Sequence, residues 1–298
     1  MDVAITGSSG LIGTALMRRL RDVGHNPVPV TRSGDTGIHW DPARHEIDAP
    51  SLEGIGAVVH LAGEGIAEGR WTSQQKRLIG DSRVEGTTLL AKTLAGLTRP
   101  PSVLLSGSAI GYYGDRGDEH LDETSPPGSG FLADVCVRWE GSAAPAAEAG
   151  IRVAYLRTGI VLTAEGGVLK RLLPLYRMGV GGKLGSGGQY MSWIGIDDEV
   201  GIICWLLDHE VAGPVNLTAP NPVRNSEFNK VMGRVLRRPS FLPVPKFAPR
   251  LLMGGQLADD LLFASACIAP RALQSSGYPF SHPMLDDALR ATLGQPGS

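Results

Sequence analysis

The chain has 298 residues, 42% hydrophobic and 19% charged, enough for a large core in one extended α/β domain or one domain with a small appendage. Its formal net charge is −2 and no basic run stands out, which argues against a nucleic-acid partner; apolar stretches such as Ile202 to Leu207 are far too short to span a bilayer, so no membrane partner is expected. No secretory signal is recognisable at the N-terminus, and the odd, scattered set of Cys136, Cys204 and Cys267 fits reduced thiols in a cytoplasmic protein.

In chain order, Val3 to Thr6 reads as a short strand, and Gly7-Ser8-Ser9-Gly10 as a turn. Leu11 to Val23 carries apolar residues at helical spacing, with Gly24 as a stop signal. Pro27 to Thr31 is the next strand. Gly37 to Pro50 holds turn residues and room for one short strand. Ala57 to Leu61 is a compact apolar strand, and Ser73 to Leu97 a long helix interrupted by Gly80 and Gly86. Ser102 to Leu105 and Val153 to Leu156 read as strands either side of a helix over Phe131 to Glu148. Strands alternating with helices predict a Rossmann-type, doubly wound parallel sheet.

After about Arg157 the texture changes. Glycines cluster from Gly179 to Gly188, a helix spans Asp197 to Leu207, and a short strand lies near Val215 to Leu217. Prolines 239, 243, 245 and 249 mark a connector, and Arg250 to Leu293 reads as largely helical, broken around Gly277 to Pro283. The expected division is a dinucleotide-binding core over 1–165, a substrate-side region over 166–245 interleaved with it, and a smaller helical module over 246–298.

Gly7-x-x-Gly10-x-x-Gly13 sits between a predicted strand and a predicted helix. Gly7 permits the tight turn, Gly10 lets backbone approach a pyrophosphate, and Gly13 allows close helix packing. The helix N-terminus, with the amides of Leu11 and Ile12, then offers donors to phosphate. NAD sites usually end the second strand in Asp or Glu; here that end is Thr31-Arg32-Ser33. A guanidinium pairs with a 2′-phosphate, which favours NADP(H), although Asp35 is close enough to keep NAD open.

Thr6-Gly7-x-x-Gly10-x-x-Gly13 with Leu61-Ala62-Gly63 resembles the extended short-chain dehydrogenase/reductases. Arg70-Trp71, Ser82-Arg83, the run from Ser106 to Gly114, Arg157-Thr158-Gly159-Ile160, Met191-Ser192-Trp193-Ile194 and the C-terminal Leu257 to Leu262 are similar to the NADP-dependent "epimerase family" within it, across essentially the whole chain. The resemblance implies NADP(H), a small-molecule substrate in a cleft facing the C-terminal region, and a loop at Arg157 to Ile160 approaching the nicotinamide, with Arg157 and Gly159 as contacts. A homodimer stays open.

Active members use a Tyr-x-x-x-Lys pair, a Ser and often an Asn. At the expected place this chain has Phe131 and Val135, and Arg83 takes the place of the asparagine as a cofactor or substrate contact. The serine survives, as Ser108 with Ser106 the alternative. Replacement acids are Tyr112 or Tyr113, with Lys76 and Glu64 as further candidates. The seven histidines show no metal-ligand spacing, His60 reads as packed or cofactor-adjacent, and no Gly-x-Ser-x-Gly elbow is present. Asp197-Asp198 reads as a helix cap, and the loop from Gly185 to Trp193 as a substrate-side wall. Three functions follow: an NADP(H)-dependent oxidoreductase or epimerase of unknown small-molecule substrate, a catalytically silent NADP(H)-binding sensor or scaffold, and a nucleotide-sugar epimerase.

Overall fold

The computed structural model describes residues 1–33, 37–67 and 69–295; Asp35, which bears on the choice of cofactor, lies outside them. The chain opens with β1 (Asp2–Thr6), α1 (Leu11–Asp22) and β2 (Asn26–Thr31). It continues through β3 (Ile38–Asp41), β4 (Glu46–Ile47), β5 (Ala57–His60), α2 (Ser73–Ala95), β6 (Val103–Ala109) and β7 (His120–Leu121). Then come α3 (Phe131–Gly141), α4 (Ala144–Glu148), β8 (Arg152–Thr158) and β9 (Ile160–Leu162).

Eight strands form the main sheet. Its last member, β12 (Gly213–Leu217), follows α5 (Gly167–Arg177), β10 (Tyr190–Met191), β11 (Trp193–Gly195) and α6 (Ile196–Asp208). The order is β12-β8-β6-β5-β1-β2-β3-β4. All neighbours pair in parallel except β3 and β4. From β1 the chain runs outward to β2 on one side and later returns to β5 on the other. The loops leaving β1 and β5 therefore diverge, and a crevice opens at the carboxyl ends of those two strands.

Strand alternation feeds two cores. Val3 and Ile5 of β1 pack with Leu16 and Leu20 of α1 and with Ile202 and Ile203 of α6. Ala4, one residue out of phase, faces Leu90, Ala91 and Leu94 of α2 and Ala146 of α4. All of these sheet residues are fully buried, as expected for a sheet covered on both faces.

A third core builds a lobe beside the sheet. After β13 (Val223–Arg224) come α7 (Asn225–Leu236), α8 (Phe247–Met253), α9 (Gly255–Ala258), a π-helical turn over Asp259–Phe263, β14 (Cys267–Ile268), α10 (Arg271–Ser275) and α11 (Leu285–Leu293). Leu169, Leu173 and Tyr176 of α5, Phe228, Val231 and Met232 of α7, and Leu289 of α11 close around Trp193.

The structure departs from the sequence reading in several places, the short strands β7, β9, β10, β11 and β13 among them. The single helix expected over Phe131 to Glu148 is two, because Pro145 lacks an amide donor and starts a new helix in α4. Gly37 to Pro50 holds two strands, β3 and β4, joined by a 3-10 turn at Pro42–Arg44. The helices α5 and α7 were not expected. The C-terminal region is largely helical, as expected, but it also contains a short strand, β14, that pairs with β7.

Candidate cofactor and active site

The crevice is built first from glycine geometry. Gly7 has φ +68°, and a Cβ there would lie 2.8 Å from the Leu61 carbonyl carbon. A Cβ on Gly13 would lie 2.2 Å from the Gly7 oxygen, so this glycine is required by the turn's own backbone rather than by the sheet. Gly10 differs. It is exposed, and its Cβ would meet only the Gly7 oxygen, at 3.2 Å. Nothing in the fold itself demands a glycine there as strongly, which fits a backbone kept bare for a ligand. The first turn of α1 has no capping side chain and no acidic residue, so its amides, beside half-buried Leu11 and Ile12, are left for an anion.

Under this turn lies a buried relay. The amides of Leu61 and Ala62 donate to Thr6 Oγ1 at 3.1 and 3.2 Å. Thr6 Oγ1 is also 2.7 Å from His60 Nδ1. Having accepted twice, the Thr6 hydroxyl donates its proton to Nδ1, which places the histidine proton on Nε2. His60 Nε2 then donates to Thr87 Oγ1 at 3.0 Å, where Trp139 Nε1 also donates at 3.0 Å. Burial, reinforced by the Arg83 charge, pushes the His60 pKa down to about 4. His60 is thus a neutral structural histidine, and among the described residues no group of three or more His, Cys, Asp and Glu is placed to hold a metal.

Arg32 and Ser33 leave the end of β2 exposed to solvent, and neither has an acidic partner among the described residues. Thr31, before them, is half-buried. A guanidinium in this position suits a 2′-phosphate.

Arg83 does not form a surface ion pair with Asp81 or Glu85. Its Nη1 donates to the carbonyls of Glu64 and Ile79 at 2.9 and 3.0 Å. The guanidinium lies 5.0 Å from the Trp139 ring, and a Cβ on Gly63 would be 3.2 Å from its Cζ. Burial holds its pKa below the usual arginine value. Arg83 therefore clamps the Leu61-Ala62-Gly63 loop onto α2 and α3. Further out, Lys76 reaches Gln256 and sits 5.3 Å from the Phe131 ring, which meets Trp71 edge-on at 4.9 Å. These contacts close the α8–α9 region against the start of α2.

Ser108, one residue before the end of β6, donates to Glu140 Oε1 at 2.7 Å. Arg157 of β8 grips the same carboxylate with two bonds, 2.8 Å to Oε1 and 2.9 Å to Oε2. Its Nη1 donates to the Tyr113 hydroxyl at 3.0 Å, and that hydroxyl donates to Asn216 Oδ1 at 2.7 Å. The Tyr112 ring lies over the guanidinium, 3.4 Å from its carbon. Burial alone would lower the Arg157 pKa, but the Glu140 carboxylate overrides this and holds it above the usual value. Tyr113 is wholly buried and pushed up to about 12, mainly by burial. Ser106, the alternative serine, is buried with no partner for its hydroxyl among the described residues.

The structure therefore brings Ser108, Tyr112, Tyr113 and Arg157 into one cluster and places Gly7, Gly10, Gly13, Leu61, Ala62 and Gly63 in another along the same carboxyl edge. Arg157 spends its donors on Glu140 and Tyr113, away from the glycine turn. Gly159 is wedged at the end of β12, its amide donating to the Leu217 carbonyl at 3.0 Å. The face of α3 turned toward the end of β6 is not the one carrying Phe131 and Val135. It reads Leu132, Cys136 and Glu140, successive positions four apart: Leu132 and Cys136 lie against Gly111, and Glu140 against Ser108. Neither register supplies a tyrosine–lysine pair. Sequence reasoning missed Glu140 and also Glu199 of α6, whose Oε1 accepts from Thr158 at 2.8 Å while Oε2 is buried with no partner among the described residues. Burial pushes the Glu199 pKa up to about 8.

Comparison with known proteins agrees with this geometry. A family model described as the NAD dependent epimerase/dehydratase family matches residues 3–218, and a domain of unknown function (DUF1731) matches residues 244–292. An epimerase family protein of Mycobacterium bovis is 41% identical over 99% of this chain and 98% of its own. The human epimerase family protein SDR39U1 is 36% identical over 97% of this chain and 99% of its own. A crystal structure of that human protein with NADPH superposes with a TM-score of 0.91 at 33% identity, covering 99% of both chains. A Corynebacterium glutamicum nucleoside-diphosphate sugar epimerase structure gives a TM-score of 0.82 at 37% identity, covering 99% of this chain but 58% of that one. The extended short-chain resemblance and the expectation of NADP(H) agree with these matches. The chain belongs to the NAD dependent epimerase/dehydratase family.

Proposed function

We propose that this protein is an NADP(H)-dependent oxidoreductase or epimerase of the extended short-chain type, acting on a small molecule in the cytoplasm. The observation that carries this reading is the combination of an uncapped α1 first turn behind Gly7, Gly10 and Gly13 with the exposed Arg32 at the end of β2, which has no acidic partner among the described residues. The α1 amides would hold the pyrophosphate, and Thr31, Arg32 and Ser33 the 2′-phosphate. The loop Leu61-Ala62-Gly63, held by Arg83, would wall the cofactor cleft. When bound, the nicotinamide would give or take hydride.

The protein's own groups would then handle the proton. Ser108 gives its hydrogen to Glu140, so only its lone pairs are left to orient a substrate hydroxyl. Of the two tyrosines, Tyr112 has a hydroxyl without a partner among the described residues and is only half-buried, whereas the Tyr113 hydroxyl is committed to Asn216. Tyr112 is the better acid candidate.

A second reading is a silent NADP(H)-binding protein. The α3 face of Leu132 and Cys136, which offers no replacement pair, favours it. The test mixes pure protein with NADPH and a panel of ketones, quinones and nucleotide sugars, following reduced-nicotinamide absorbance. Consumption that is lost in both Ser108→Ala and Tyr112→Phe but kept in Tyr113→Phe supports catalysis. Binding without turnover across the panel refutes it. Arg32→Ala is expected to weaken NADPH far more than NADH, and equal losses would remove that residue from the 2′-phosphate site.

A further inference from the structure

The charge of this chain is strongly segregated. Residues 166–195 contain four basic residues and no acidic one, and residues 222–254 contain seven basic residues and only Glu227 as an acid. With 28 basic and 30 acidic residues in the whole chain, the rest of the protein is strongly acidic. Some of the basic residues are internally paired, Arg224 with Asp118, Lys230 with Glu227, Arg234 with Asp286 and Arg250 with Asp259. Lys170, Arg177, Lys183, Arg237, Arg238 and Lys246 are exposed and have no acidic partner among the described residues.

The same two segments carry most of the protein's exposed large apolar side chains. Phe241 is 78% exposed, Phe247 70%, Leu251 74% and Leu252 80%, with Met178 at 67%. The segments run side by side. Val244 donates to the Lys183 carbonyl at 2.9 Å, Gly185 donates to the Val244 carbonyl at 2.9 Å, and a Cβ on Gly179 would be 3.2 Å from the Pro239 ring. Between them a cleft of about 500 Å³ is lined by Lys183, Ser226, Asn229, Lys230, Ser240 and Phe241. Neither serine hydroxyl has a partner among the described residues.

We infer that this lobe docks on the surface of an anionic lipid bilayer. Phe247, Leu251 and Leu252 of α8, with Phe241, enter the headgroup boundary. The unpaired lysines and arginines meet the lipid phosphates, and the cleft between Lys183 and Lys230 receives one headgroup phosphate. Aromatic and leucine side chains beside a concentrated cationic field are the chemistry of interfacial binding. A second copy of the chain presenting the same lobe would bring like charge against like charge. No helix among the described residues is long and apolar enough to cross a membrane, so the contact is with the surface alone.

The test uses the full-length protein with sucrose-loaded vesicles, either of phosphatidylcholine or of phosphatidylcholine with phosphatidylglycerol as the minor component. Sedimentation with the anionic vesicles alone, weakening as salt rises, is expected. Lys183→Gln with Arg238→Gln should weaken it about 25-fold, at about fivefold per surface charge. The triple variant Phe247→Ser, Leu251→Ser, Leu252→Ser should abolish it while leaving the melting temperature unchanged, because these side chains are already in water. Val137→Ser, at an exposed residue of α3, should change nothing. No binding to anionic vesicles overturns the inference. So does binding that the charge variant weakens but the apolar triple does not, which is simple electrostatic adsorption. A dimer that the triple variant splits, without vesicle binding, would give the surface to a second copy.

Discussion

Glu199 makes the stability of this protein depend on pH in an unusual direction. Its carboxyl is fully buried, with one oxygen bonded to Thr158 and the other unsatisfied among the described residues. In the folded chain it keeps its proton up to about pH 8, whereas its ordinary value is 4.5. Between those two values the folded state binds more protons than the unfolded one, so this group makes stability fall as pH rises through that window. From the two pKa values, the loss between pH 5 and pH 7 is about 2.5 kcal/mol, within a ceiling of about 5 kcal/mol reached above pH 8. Glu199→Gln cannot ionise and removes this dependence. Urea unfolding of both proteins at pH 5, 6, 7 and 8 checks it. The variant's advantage over the parent should grow steadily across the series, with most of the growth between pH 5 and 7. A pH-independent difference, or an advantage that shrinks as pH rises, would refute the argument that Glu199 is buried in its neutral form.

Glu140→Ala leaves the Arg157 guanidinium buried without its carboxylate and is expected to cost about 3–5 kcal/mol in urea unfolding. If the cost is below 1 kcal/mol, the pair is wetter than its 3% and 12% side-chain exposures indicate. Gly10 and Gly13 should separate the two jobs of the glycine turn. Gly13→Ala forces the Gly7 carbonyl to move and should lower the melting temperature as well as NADPH affinity. Gly10→Ala should leave the melting temperature near that of the parent while weakening NADPH by fluorescence titration. Equal thermal losses in both would mean that Gly10 serves the fold rather than a ligand.

The first half of the fold was readable because its signals are local. Strand, glycine turn and helix follow one another within Asp2 to Asp22, and the pattern needs no distant partner. The helices α5 and α7 were missed for different reasons. Pro174 sits inside α5 and masks a face made by Leu169, Leu173 and Tyr176. Phe228, Val231, Met232 and Val235 of α7 do carry a helical period, which the glycines and prolines on either side obscured. The site was legible only in part. Ser108, Arg157 and the tyrosines are visible as residues, but Glu140 joins them from 32 positions away along the chain in one case and 17 in another. No spacing rule links β6, α3 and β8. The register of α3 is also invisible in one sequence, since a shift of one residue turns a helix by about 100° and exchanges Phe131 and Val135 for Leu132 and Cys136.

The hydrogen-bond line beneath the cofactor turn has a consequence for anyone who would move that turn into another scaffold. Thr6 can accept from two loop amides because His60 takes its proton, and His60 can do so because Thr87 accepts at the other side of the ring, where Trp139 also donates. Valine has the shape of threonine, yet at position 6 it would orphan the Ala62 amide, leave the Leu61 amide with only its 3.3 Å bond to the residue-6 carbonyl, and strand one imidazole nitrogen. The glycine fingerprint is therefore not a portable cassette. Thr6, His60, Thr87 and Trp139, spread over two strands and two helices, form a single inherited unit with it, and a graft that carries the glycines alone would receive the turn without the donors and acceptors that hold its far wall in place.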